Sequence, residues 1–377
     1  MAGRTLDPAT LRPAARSVVP AGGATVPLRP GMRPMVDVTV NGQGPFHFIV
    51  ETTGGALELS PAARDRLGLR ARTTGTHLPV VDVDSIRVGG ALLAGLTAVS
   101  ADGVLGGEVD GILGLSALAN LLVTVDVGAG TFTLAEGSLP APNGRDLLPL
   151  VPLDGYWGAG RLWGVEIDAG GTKAAAVLNL LSPGAVGTTP QLASAASFSS
   201  PPVASGRVMG PMIGRVERRV GRLGGDLRIG GYTLQRPLVS VFPVPPQLPP
   251  SWSLGAGVLR SFAVTWDQRG RVVRLARADA SPIPAPPPVR DFGFDAGGGP
   301  GGGAYTVRFV IPGSAAERAA IREGDELLLA DGKAPASLDA PAWRALAART
   351  DAVAFRFRSA NGGGEKDVAL APSVIVP

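Results

Sequence analysis

The chain has no cysteine and only two histidines, His47 and His77, among 377 residues. Thiolate and disulfide chemistry are therefore excluded. Each histidine sits alone among apolar or small residues, which leaves no basis for a Ser-His-Asp triad or a histidine metal site. No group of residues has metal-ligand spacing, and no cofactor is expected. Chemistry then falls to carboxylates. An apolar stretch, Phe46-His-Phe-Ile-Val, ends at Glu51 and runs on through Thr52, Thr53 and Gly54. A second stretch, Ala174-Ala-Ala-Val-Leu, ends at Asn179 and runs on through Leu180, Leu181 and Ser182. Glu51 has the chemistry of a lone general base, whereas the Asn179 amide cannot exchange a proton. Asp82, Asp84, Asp102, Glu108 and Asp110 read as turn residues and solvated strand ends. Asp126 and Asp267 head β-turns, where Asp is favoured for its bonds to nearby backbone.

The elements that hold these residues repeat. Ile112–Ala135 aligns without a gap on Ser253–Ala276: Leu113 matches Leu254, Gly114 matches Gly255, and Asp126 matches Asp267, each 141 residues apart. The same spacing sets Ser85-Ile-Arg-Val-Gly-Gly against Asp226-Leu-Arg-Ile-Gly-Gly. Two blocks in one register imply two homologous lobes. Each opens with an alternating strand and a hairpin turn, from Met35 in one lobe and Leu162 in the other. A short helix is expected after Ser60-Pro61, with a weaker equivalent at Pro190-Gln-Leu-Ala.

Composition agrees with a mainly β chain. Hydrophobic residues make up 45% and charged residues 18%, as in a folded protein, while 54 Gly and 35 Pro imply many turns and short strands. The net charge is +4. The densest basic run (Arg215, Arg218, Arg219, Arg222, Arg228) is broken by acids and lacks aromatics, so it reads as a solvated strand face, and no nucleic-acid partner is expected. No apolar run is long enough to cross a bilayer. The N-terminus lacks the apolar core of a signal peptide.

The segment NGQGPFHFIVETTGGALELSPAARDRLGL resembles the first catalytic segment of bacterial pepsin/retropepsin-like aspartic proteases, and DGILGLSALANLLVTVDVGAGTFTL resembles their later apolar-apolar-Gly motif. The resemblance covers roughly residues 34–277 and implies two β lobes with a catalytic Asp-Thr-Gly-Ala loop in each. Here those loops read Glu51-Thr52-Thr53-Gly54 and Asn179-Leu180-Leu181-Ser182. That chemistry needs two carboxylates sharing one proton. Asn179 breaks the pair, and Glu51, one methylene longer than Asp, is expected to misplace its oxygens by about 1–1.5 Å. Thr53 and Leu181 stand where glycine lets the backbone adopt unusual φ. The implied reading is a catalytically inactive relative that binds peptides. The alternative is a hydrolase using Glu51 as its lone base.

The C-terminal third resembles a PDZ domain of the type attached to bacterial envelope proteases. The carrying stretch is AYTVRFVIPGSAAERAAIREGDELLLADGKAP, with Ser314 capping a helix and Asp331-Gly332 as a turn. The resemblance implies a groove for peptides or protein C-termini, with Phe292-Gly293-Phe294 as the carboxylate loop and Trp343 and Leu346 on the second helix, lining the groove or packing inward. It also implies a periplasmic or envelope location. The expected domains are an N-terminal arm (1–33), lobe one (34–140), lobe two (141–277), a Pro/Gly-rich linker with the start of the PDZ-like domain (278–303) and its remainder (304–377).

Overall fold

The computed structural model describes residues 11–31, 33–73, 78–100, 109–157, 160–210, 214–244, 248–299 and 303–377. His77, Asp102 and Glu108 lie outside them, as does the centre of the glycine-rich stretch at 297–303. The chain is mainly β and divides into two compact units. One is Met1–Ala196 with Gly225–Pro237 and Val244–Pro284; the other is Ser197–Gly224 with Leu238–Pro243 and Ala285–Pro377.

In the first unit, β1 (Met35–Val40) buries Val36, Val38 and Val40 and turns Asp37 outward, as two-residue periodicity dictates. It pairs with β2 (Gln43–Glu51). Next come β3 (Leu57–Leu59), α1 (Pro61–Arg66), β4 (Val80–Val88), β5 (Ala91–Ser100) and β6 (Gly111–Gly114). The hydrogen-bonded order β5-β3-β6-β2-β1-β4 closes on itself through β4–β5, making a six-stranded barrel. Ser60 caps α1 by accepting from the Ala63 N–H at 3.1 Å. Phe46, Phe48 and Ile86 are among the largest fully buried side chains, each contributing about 2–3 kcal/mol by leaving water.

The motif recurs. After β7 (Leu122–Asp126) and β8 (Thr131–Ala135), the second lobe builds β9 (Gly160–Ala169), β10 (Thr172–Asn179), β11 (Val186–Thr188), α2 (Pro190–Ala193) and β12 (Trp252–Gly255). β13 (Ala263–Asp267) and β14 (Val272–Ala276) follow. In lobe one β2 runs parallel to β6, and in lobe two β10 runs parallel to β12. β7 and β13 lie antiparallel at the centre of a six-stranded sheet to which both lobes contribute. There Thr124 and Thr265, 141 residues apart, face each other directly, with their hydroxyls 2.8 Å apart. The repeat is thus a local two-fold axis through this pair. Asp126 and Asp267 close their turns by accepting from the Ala129 and Gly270 N–H groups, each at 2.8 Å.

The second unit carries β15 (Val289–Asp291), β16 (Phe294–Gly299), β17 (Gly303–Val310), α3 (Ala315–Arg318), β18 (Glu326–Ala330), α4 (Ala340–Ala348), β19 (Val353–Arg358), β20 (Glu365–Leu370) and β21 (Ser373–Val376). β16 to β20 form a sheet in the order β16-β17-β18-β19-β20, with β16 at one edge, and β15 pairs with β21. Its core includes Phe292, Val307, Ile321, Leu327, Phe355 and Phe357. Ser314 caps α3 as expected.

Two expectations need correction. Arg222, on the strand Gly214–Arg222, is buried rather than solvated. It satisfies the carbonyls of Pro287, at 3.1 Å, and Pro377, because strand alternation turns it inward. His47 is not alone: antiparallel register sets it opposite Asp37, whose Oδ1 lies 2.9 Å from its Nδ1. Among the described residues no helix is long and apolar enough to cross a membrane.

Candidate functional site

The β2–β6 and β10–β12 pairings deliver Glu51 and Asn179 to the ends of parallel strands, and each side chain then turns back onto its own loop. Glu51 is 1% exposed. Its Oε1 accepts from the Thr53 N–H at 2.5 Å and from the Thr53 hydroxyl, and its Oε2 accepts from the Gly55 N–H at 2.5 Å. Asn179 is half-buried, and its Oδ1 accepts from the Leu181 N–H at 3.0 Å and the Ser182 N–H at 3.2 Å. The extra methylene of Glu51 therefore bends the carboxylate inward to donors on its own loop. Burial pushes its pKa up, opposed by the hydrogen bonds from Thr53, Gly55 and Gly54.

Thr53 explains itself in this arrangement. Its hydroxyl serves Glu51, and the unusual backbone angle has moved one place along, to Gly54 with φ +108°. Gly55 must lack a side chain, since a Cβ there would lie 2.4 Å from Glu51 Oε2. Leu181 needs no positive φ either.

Thr52 joins the two loops. Its hydroxyl donates to the Leu178 carbonyl at 2.8 Å and accepts from the Leu180 N–H at 3.2 Å. Leu180, fully buried, cannot return these bonds because it has no hydroxyl. The bridge is made from one side only. Beneath the loops, Gly114 and Gly255 play the same part in each lobe. A Cβ on Gly114 would lie 2.0 Å from the Gly55 carbonyl oxygen, and one on Gly255 would lie 2.2 Å from that of Gly184.

Sequence reading missed Glu58. It sits between two buried leucines in β3, half-buried, opposite Ile112 of β6, which is in turn opposite Ile49 of β2. Glu51 lies two residues on from Ile49, so Glu51 and Glu58 project from the same face of the sheet. The readable signal was an acid alternating with leucines directly after a glycine-rich loop. Burial first, and then the charge of Glu51, push Glu58 up to about 7. A carboxyl raised on folding favours the protonated native state, so stability falls as pH rises from about 4.5 to about 7. Glu58→Gln is expected to raise stability by about 2–3 kcal/mol at pH 8 and to change it little at pH 4. Urea unfolding at the two pH values measures the difference.

In the C-terminal unit a cavity of about 280 Å³ lies between β16 and α4, with Phe292, Phe294 and Trp343 on its walls. Gly293 is buried, and Leu346 and Trp343 pack against the core. Burial pushes Asp291, also on the wall, up to about 6, against the hydrogen bond it receives from Gly293 and with the Asp295 charge adding to the rise.

No curated protein matches the chain. An aspartyl protease family model matches residues 36–117, the stretch that runs from β1 through the Glu51 loop and β6. That stretch is similar to an aspartyl protease, and it folds as a β lobe consistent with the pepsin-like kind.

Proposed function

We propose that the chain is a catalytically inactive aspartyl-protease-like protein that binds peptides or protein partners through its cleft and a C-terminal PDZ-like domain. The observation that carries the reading is the state of Glu51: a buried carboxyl group held at both oxygens by its own loop, in a chain whose second loop carries an amide, Asn179, at the equivalent place. A general base must reach water, and Glu51 is 1% exposed. Glu51 instead acts as a loop staple, and Asn179 does the same for the second loop. The one-sided Thr52 bridge keeps the two loops adjacent, so the scaffold persists without the proton-sharing pair. The order of strands and helices from Val289 onward, and the cavity between the edge strand β16 and α4, support the PDZ-like part.

A second reading, hydrolysis with Glu51 as lone base, draws on the raised pKa values of Glu51 and its neighbour Glu58. Incubation of the protein with a diverse peptide library between about pH 4 and 8 separates the two. The expected result is no cleavage above that of Glu51→Gln, with peptide binding measurable on the intact chain. Cleavage that disappears in Glu51→Gln would establish the second reading.

A further inference from the structure

The groove between β16 and α4 departs from a chain-end receptor at the residues that would grip the chain end. This inference rests on the PDZ-like reading above and concerns which ligand the groove takes. A terminal carboxylate is captured by backbone N–H groups converging on an anion position. Here the Gly293 N–H donates to Asp291 Oδ1 at 2.7 Å, and the Phe294 N–H is directed to the same carboxylate. The anion position is therefore filled by the protein's own side chain. Asp291 and Asp295 both line the cavity, so a ligand carboxylate would bring a third negative charge beside two. The nearby cations offset part of the Asp291 and Asp295 charge but direct their hydrogen bonds elsewhere. Arg218 donates to the hydroxyl of Ser205 at 3.2 Å and to its carbonyl at 3.0 Å, and Arg308 donates to the Gly298 carbonyl. Arg344, on α4, also has a partner.

What the groove retains is the remainder of a strand-addition site. β16 is the edge of its sheet, the place where an added strand would pair. Phe292, Phe294, Ala296, Trp343 and Ala347 supply an apolar wall. A volume of about 280 Å³ takes one or two side chains. We infer that this groove binds an internal, extended segment of polypeptide through an apolar side chain, and does not select a chain-terminal carboxylate.

The test uses the full-length protein and two arrays of the same 12-residue peptides, one ending in free carboxylates and one in amides. Affinities of the strongest binders are then measured in solution. The same peptides are expected to bind from both arrays, with acid and amide forms within about twofold. Asp291→Ala, which vacates the two N–H groups, is expected to make the acid form about five- to tenfold tighter than the amide. Wild-type binding confined to the free-carboxylate array, or an acid form tenfold tighter, would overturn the inference while leaving the PDZ-like reading intact. An unchanged acid-to-amide ratio in a folded Asp291→Ala protein would overturn it as well. Binding to neither array, or binding indifferent to Trp343→Ala, would instead defeat the peptide-groove reading itself.

Discussion

Glu51→Ala is expected to destabilise the protein by about 3–5 kcal/mol, lowering the urea midpoint of the protease-like unit. The residue lies where a catalytic carboxylate would be expected, so the simplest guess is that its removal costs activity and little else. The geometry argues the reverse. Truncation strands two buried backbone N–H groups and the Thr53 hydroxyl, all of which now donate to Glu51, and leaves a void where the side chain lay. Each orphaned donor costs about 1–3 kcal/mol. Glu51→Gln should fall between wild type and Ala, because its amide oxygen can still serve Thr53 while its NH₂ meets the Gly55 N–H. A loss below about 1 kcal/mol for the Ala variant would refute the staple role.

Gly114→Ala and Gly255→Ala should be worse, costing at least about 3 kcal/mol each or preventing folding. The added methyl would meet backbone carbonyl oxygens at 2.0 and 2.2 Å, respectively, and backbone fixed in a hydrogen-bonded sheet cannot step aside as a side-chain tip can. Gly364→Ala is the control. A Cβ there meets nothing within 4 Å, and the change should stay within about 0.5 kcal/mol. Circular dichroism and urea titration of the three variants give the comparison. A Gly114→Ala protein as stable as the control would mean that the loop does not press on β6.

These glycines also show what could be read in advance. The matched spacing of Gly114 and Gly255 was visible because both lobes meet the same local demand, a carbonyl resting on a strand. The α1 cap at Ser60, the α3 cap at Ser314 and the alternation of β1 were visible for the same reason: their causes lie within a few residues. What escaped was set by distance in three dimensions. Thr52 bonds to Leu178 and Leu180, more than 120 residues away. Glu58 matters only because two strand pairings place it on the face of Glu51. His47 found Asp37 through hairpin register. Thr53 was read as the loss of a glycine, whereas it is a hydroxyl supplied to the longer acid, with the conformational freedom moved to Gly54.

The facing threonines on the local two-fold, Thr124 and Thr265, carry a last consequence. An interface in which equivalent positions touch across an axis is the isologous kind that identical subunits make with each other. Here it is formed within one polypeptide, so the two lobes behave as subunits joined by a tether. A first lobe cut free of the second would expose β7 as an open edge, with Thr124 at its centre. Its nearest complementary surface would be the same edge of another copy. The covalent link thus fixes which partner each lobe has. It also lets the two loops diverge, one keeping an acid and a bridging hydroxyl and the other an amide and leucines, an asymmetry that two copies of one sequence could never hold.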